Sequence, residues 1–289
     1  MSVAVSSPRL LATSDLHCDR SANREVVRSL RSESDQDWLI VAGDVSDRVG
    51  DVEWALGTLR ERFAKVIWVP GNHELWTTPK DEVQLRGEER YRHLVELCRR
   101  LDVLTPEDEY PVWRGRDEDL VIAPLFLLYD YSIGRAPHED VPAALARARE
   151  AGVVGTDEVL LHFDGHASRQ DWCHERVRYS EDRLDVIPAG LRTVLVNHFP
   201  LHPAPTKRLN YQDFALWCGT TLTQDWHLRY RAAVVVTGHL HIPLTDKIDG
   251  VRFEEVSLGY PREWQPRKNR RPVLRDVLVD TEPMYPLPS

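Results

Sequence analysis

The feature that most constrains the fold is an alternation, through the first hundred residues, of short apolar runs with longer amphipathic stretches. Leu10-Leu-Ala-Thr13, Trp38-Leu-Ile-Val-Ala42 and Lys65-Val-Ile-Trp-Val69 are too short for helices and read as strands. Between and after them, residues 22–32, 51–63 and 83–101 carry helical spacing, with Val52, Leu56 and Leu59 on one face of the second stretch. A β-α-β-α-β succession predicts a sheet with helical crossovers, whose reactive side chains collect at the carboxyl ends of the strands. At 289 residues, with 42% hydrophobic side chains, the chain can build a full core without a disulfide or a structural metal.

The second half is less regular. Residues 120–124 are strand-like, and periodicity is then lost over 125–188 except for helices expected at 142–151 and 168–184. Strands are expected again at 193–196, 233–236, 244–248, 251–256 and 273–279, with a helix over 213–230. No Gly/Ser/Pro-rich linker divides the chain. The reading is one domain over 1–281, with 125–188 as an insertion or lid, and a loose tail at 282–289 containing three prolines.

Charge and cysteine usage narrow the class. Lysine and arginine number 37 against 46 acids, a net charge of −9, which argues against a nucleic-acid binder. The opening residues lack the basic and apolar regions of a signal peptide, and no apolar run is long enough to span a bilayer, so no membrane association is expected. Cys18, Cys98, Cys173 and Cys218 are scattered and form no Cys-x-x-Cys pair, which points to a reducing, cytoplasmic home.

Polar residues follow each strand where a plain loop needs none. They are Asp15-Leu-His17, Gly43-Asp44-Val-Ser-Asp47, Gly71-Asn72-His73-Glu74, Asn197-His198 and Gly238-His239-Leu-His241. Carboxylates, an amide oxygen and imidazoles are the ligand set of hard-to-borderline divalent metals. In extended backbone, residues i and i+2 share a side, so Asp15 with His17, and His239 with His241, can each face one centre. An Asp-x-His triplet arises by chance about 0.7 times in such a chain and means little alone; Gly-His-x-His is expected only about 0.03 times. The ordered set of five is what carries weight.

That set resembles the calcineurin-like metallophosphoesterase superfamily, and the motifs span nearly the whole chain. The resemblance implies an α/β fold, a four-layer sandwich of two mixed β-sheets flanked by helices, with a binuclear site at the strand ends. It implies that Asp15, His17, Asp44 and His241 hold one metal, and that a bridging Asp44 with Asn72, His198 and His239 holds the other. His73 matches the superfamily's catalytic, non-ligand histidine, and Asp47 is expected to support the catalytic groups by orienting a ligand. Two divalent ions roughly 3.5–4 Å apart clamp a phosphoryl group and acidify the attacking water, while a histidine protonates the departing alkoxide. A nitrogen and oxygen set without thiolate admits Mn, Fe or Zn, and the likeness favours Mn with Fe.

Longer stretches, at 37–44, 63–78, 126–132, 172–177, 196–201, 217–221 and 250–264, are similar to an actinobacterial branch of the superfamily. That likeness implies removal of 4′-phosphopantetheine from the serine of holo acyl carrier protein. His202, Tyr260 and Arg262 are the expected substrate contacts. Arg267, Lys268, Arg270 and Arg271 form a basic run that would steer an acidic carrier protein. The alternatives are a phosphatase or phosphodiesterase of a small molecule or nucleotide, and a non-catalytic binding module of the same fold.

Overall fold

A computed structural model of the chain describes residues 8–115, 118–267 and 271–279. In chain order the elements are β1 (Leu10–Thr13), α1 (Ser21–Ser29), β2 (Trp38–Val41), α2 (Val49–Arg60), β3 (Lys65–Trp68), α3 (Asn72–Leu75), α4 (Gly87–Arg100), β4 (Val112–Arg114) and β5 (Asp119–Pro124). They continue as α5 (Val141–Glu150), α6 (Asp157–Leu160), α7 (Arg169–Asp185), β6 (Arg192–Val196), α8 (Trp226–Arg229), β7 (Ala232–Thr237), β8 (Leu244–Ile248), β9 (Val251–Glu255), α9 (Pro261–Trp264) and β10 (Arg275–Asp276).

The strands form two mixed sheets. The first runs β10-β1-β2-β3, parallel except for β10; the second runs β4-β5-β6-β7-β9-β8, parallel from β5 to β9 with antiparallel edges. Alternation along each strand decides which layer a side chain joins. Leu10, Ala12, Ile40 and Ile67 share a core with Ile122, Val194, Val196, Val234 and Val236 of the second sheet. Their neighbours Leu11, Leu39, Val41, Val66 and Trp68 belong instead to a second core with Val27, Leu56 and Leu94 of the flanking helices. On the second sheet, Ala123, Leu195, Val235 and Phe253 join Trp172, Val177 and Leu184 of α7 in that same core. Each fully buried aliphatic side chain here contributes roughly 1.5–3 kcal/mol over an exposed one. Because both faces are apolar, slipping a strand by one residue would exchange the contents of the two cores. The strand ends, and the polar loops they carry, are therefore fixed in register.

Several expectations change in the structure. The stretch 213–230 is not one helix but two 3-10 turns, Gln212–Trp217 and Thr221–Thr223, followed by α8. The break falls at Gly219, whose φ is +124°, and at Thr220, whose hydroxyl bonds Asp130 and the Leu222 N–H rather than continuing a helix. The strand expected at 273–279 shortens to β10, with Arg275 and Asp276 paired with β1, and buried Val277 adds an N–H bond to the Leu10 carbonyl at 3.0 Å. Residues 125–188 are integral to the core: Phe126, Tyr129, Trp172 and Leu184 are buried within it. The four cysteines are buried and unpaired. The expected tail at 282–289 lies outside the described residues.

Candidate active site at the strand ends

The carboxyl ends of β1, β2 and β3 meet those of β6, β7 and β9 along one edge of the sandwich. Ser14, just past β1, forms a parallel bridge with Ser257, just past β9, and joins the two sheets there. The loops are knitted together by backbone: Asp15 and His17 donate N–H bonds to the carbonyls of Gly43 and Asp44 at 2.9 and 3.0 Å. Close approach requires glycine at two points. Gly43 has φ +86°, and a Cβ on it would lie 2.6 Å from His198 Nδ1; a Cβ on Gly71 would run into Asp44 Oδ1. Five non-glycine residues of these loops sit in the left-handed region as well: Asp15 (φ 53°), His17 (39°), Asp44 (54°), His239 (73°) and His241 (54°). Such backbone is costly for L-residues and persists where the surroundings impose it.

The ligand atoms of Asp15, His17 and His241 lie within 4.8 Å of one another, as do those of Asp44, His198 and His239. Asp44 also groups with His17 and His73, so it stands between the two sets. His17 Nε2 faces His241 Nε2 at 3.1 Å, and His241 Nε2 is 3.0 Å from Asp15 Oδ1. His198 Nε2 is 3.4 Å from Asp44 Oδ2. Asn72 Oδ1 and His239 Nε2 are buried and have no hydrogen-bond partner. Buried polar atoms left unpaired are expensive, and these two belong to the expected ligands of a single ion. The donor set therefore fits a pair of divalent cations.

Groups behind the ligands fix their orientation. His198 Nδ1 donates to the Ala42 carbonyl at 2.8 Å and His241 Nδ1 to Glu263 at 2.7 Å, which leaves each Nε2 facing the centre. Asp15 Oδ2 accepts from Ser14 Oγ, Ser257 Oγ and the His239 N–H at 2.5, 2.7 and 3.1 Å. Asp44 Oδ1 accepts the His73 N–H at 3.0 Å. Beneath them Glu74, fully buried, accepts the backbone N–H groups of Asp44, Val45 and Gly71 at 3.0, 2.7 and 2.9 Å, tying the β2 and β3 loops together.

Electrostatics follow from this packing. Burial opposes ionisation of Asp15 and Asp44, yet His241 and His198 beside them hold both carboxylates below the ordinary range. The reciprocal effect raises the two imidazoles: burial disfavours their charge, but Asp15 raises His241 well above its usual value and Asp44 raises His198 to about 10. Burial, with the neighbouring His198, pushes His239 down to about 3, and burial with His73 lowers His17. Burial and the nearby Asp44 charge push Glu74 up to about 7. Each carboxylate and the imidazole beside it thus favour one another's charged form.

Of the remaining expected site residues, some are gathered here and others are not. His73 stands at the mouth, its ring over Trp76 at 3.7 Å between centroids, with Nε2 3.8 Å from Asp44 Oδ2. Tyr260 stacks on His17 at 4.3 Å and places its hydroxyl 3.4 Å from His73 Nε2. Arg262 is exposed, its guanidinium 5.3 Å from the Tyr260 ring centre. His202 is not part of the cluster: its Nδ1 accepts the Ala204 N–H, and its ring packs against His227 and Phe253. Asp47 Oδ1 is buried without a hydrogen-bond partner, while Glu74 and Glu263 hold loop and ligand groups from behind. Arg267 and Arg271 are half-buried, donating to the His241 carbonyl and to Thr245 Oγ1. Lys268 and Arg270 lie outside the described residues.

Three groups were missed by the sequence reading. Glu74 sits inside a recognised motif, so its place was visible although its role was not. Glu263 also accepts the Tyr260 N–H at 2.8 Å, the signature of an acidic residue in the first turn of a helix. Asp157, bonded to Asn72 from the irregular insertion, gave no signal at all.

With this geometry in place, comparison with known proteins is direct. The family profile described as calcineurin-like phosphoesterase matches residues 8–243. The [acyl-carrier-protein] phosphodiesterase PptH of Mycobacterium tuberculosis is 52% identical over 275 residues, covering 95% of this chain and 85% of that protein. The crystal structure of phosphopantetheinyl hydrolase (PptH) from the same organism superposes with a TM-score of 0.93 over 96% of this chain and 98% of that one. The two mixed sheets, the His/Asp clusters at their joined edge and the profile match agree: the chain belongs to the calcineurin-like phosphoesterase family and is a metal-dependent phosphoesterase.

Proposed function

We propose that the chain hydrolyses the phosphodiester linking 4′-phosphopantetheine to the serine of a holo acyl carrier protein. The observation that carries the substrate is the likeness, over nearly the whole chain, to a relative whose name specifies an acyl-carrier-protein phosphodiesterase. The four buried, unpaired cysteines suit action in a reducing, cytoplasmic compartment.

The ligand assignment supported best is Asp15, His17 and His241 on one ion, Asn72, His198 and His239 on the other, and Asp44 shared between them. A donor set without thiolate admits Mn, Fe or Zn, and the family likeness favours Mn with Fe. When bound, two such ions supply Lewis acidity to the phosphoryl oxygens and acidify a water. The chain's own residues do the rest. His73, held through its N–H by Asp44 and backed by Trp76, can deliver a proton from Nε2 to the serine Oγ as the P–O bond to serine breaks. Water supplies the oxygen that forms the new bond to phosphorus. The Tyr260 hydroxyl, 3.4 Å from His73 Nε2, and the exposed Arg262 guanidinium beside its ring would bind the phosphate.

The test is an intact-mass measurement. Purified protein with Mn²⁺ and a holo carrier protein should convert the carrier to its apo form, lighter by one phosphopantetheine group. An unchanged carrier mass with Mn²⁺, Fe²⁺ and Zn²⁺ in turn overturns the assignment of substrate.

A further inference from the structure

We infer that Asp157 is a positioning residue for the metal centre, locking the Asn72 side chain so that its oxygen and not its nitrogen faces the ligand cluster. The inference rests on the reading of Asn72 as a ligand. An amide presents an oxygen and an NH₂ group of nearly equal size, and only the oxygen can bind a cation. Something must choose between the two orientations. Asn72 Nδ2 donates to Asp157 Oδ1 at 2.9 Å, while Asn72 Oδ1 is left buried without a partner on the side of the ligands. An ionised carboxylate only accepts hydrogen bonds, so it can face the NH₂ end and would repel the carbonyl end. The same Asp157 oxygen accepts Trp76 Nε1 at 2.7 Å, on the residue whose ring backs His73.

Asp157 is itself held rigidly. It is buried on α6, and its main-chain carbonyl accepts Arg169 Nη2 at 2.7 Å. Arg169 is fixed in turn by the Leu161 carbonyl, the Tyr131 hydroxyl and Glu158. On the other side, Thr77 donates its N–H to the Leu160 carbonyl at 3.0 Å, and Trp76 forms an antiparallel bridge with Leu161. A segment 85 residues away in sequence thus reaches the β3 loop and selects the working face of one ligand. The insertion completes the site by this contact.

The experiment is a titration of the metal-free, full-length protein with Mn²⁺, followed by electron paramagnetic resonance. The wild type should take up two ions and show the spectrum of an exchange-coupled pair. Asp157→Ala should bind one of the two ions about 10- to 100-fold more weakly, leaving the six-line spectrum of an isolated Mn²⁺. Asp157→Asn, which keeps an acceptor oxygen but adds a donor, should weaken that ion less than Asp157→Ala does. Asn72→Ala should lose the same ion, and the double variant Asn72→Ala/Asp157→Ala should bind no more weakly than Asn72→Ala alone. Asp157→Leu, which keeps bulk at this buried position, gives the same reading should the alanine variant fail to fold. If Asn72→Ala loses an ion while the Asp157 variants keep both at wild-type affinity, the positioning role is wrong. If Asn72→Ala itself keeps both ions, it is the ligand assignment that fails.

Discussion

At the scale of single residues, ligand and supporting roles separate in measurable ways. His73→Ala should lower turnover about 10²- to 10⁴-fold while metal content stays at the wild-type level, since His73 lies at the mouth and other residues complete both ligand sets. Loss of metal in parallel with activity would reassign His73 as a ligand. Glu263→Gln should do the reverse: weaken metal binding about 10- to 100-fold, because the His241 imidazole loses the carboxylate that orients it. A competition titration against a chelator reads this directly, and unchanged affinity would show that Glu263 merely caps α9. The ligands were legible in the sequence because their chemistry is unusual at strand ends and their spacing is local, as in Asp15 and His17 or His239 and His241. Glu263 and Asp157 were not, since an acidic residue acquires an orienting role only by where tertiary packing delivers it. His202, close to His198 in sequence, packs instead against His227 and Phe253, outside the ligand cluster.

At the scale of elements, alternation and register fixed the strands, and the surprises arose where side chains compete with the backbone. The runs at β1, β2 and β3 were readable since each is apolar on both faces; the three-residue edge strand β4 was not, because so short a run has no period. A contact of comparable obscurity holds β1 against β2. Buried Asp37, just before β2, accepts the Arg9 N–H at 3.0 Å, the Arg9 guanidinium at 2.7 Å, and the N–H groups of Glu33 and Ser34 at 3.1 and 3.3 Å. Burial disfavours the Asp37 charge, but the bonds from Arg9 outweigh it and lower its pKa below the usual 3.8. Asp37→Ala should destabilise the fold by about 2–3 kcal/mol, below the range for wholly buried pairs because Arg9 remains partly solvated. A carboxylate with a depressed folded-state pKa stabilises above its unfolded value. This contribution is therefore present above pH 3.8 and disappears as the pH falls below it. The urea midpoint should fall between pH 7 and pH 3 in both proteins, as other paired carboxylates also titrate, but by less in the alanine variant; an equal pH response in both would remove Asp37 from the account.

At the scale of the whole molecule, cation binding, protonation and stability are one coupled equilibrium. In the metal-free protein His198, raised to about 10, and His241 carry protons opposite Asp44 and Asp15. A cation needs the same lone pairs, so loading both ions at pH 7 should release about two protons, and affinity should fall as the solution is acidified. Calorimetry in two buffers of different ionisation enthalpy counts those protons; a count near zero would mean that the imidazoles are already neutral. The sign for stability follows from the raised values. The His198 proton stabilises the metal-free fold fully below 6.5, and that contribution is lost as pH rises toward about 10, so alkaline solution should lower the melting temperature of the metal-free protein. Bound ions should remove this sensitivity and raise melting by mass action. The left-handed backbone of Asp15, His17, Asp44, His239 and His241 carries a warning for anyone who sets out to make the protein hardier. The routine remedy for such conformations is glycine, worth roughly 1–2 kcal/mol of relief at each position. Here it would break the buried pairs of Asp15 with His241 and Asp44 with His198, a loss of about 3–5 kcal/mol where one partner is left behind, so a stabilising campaign gains nothing at these five places.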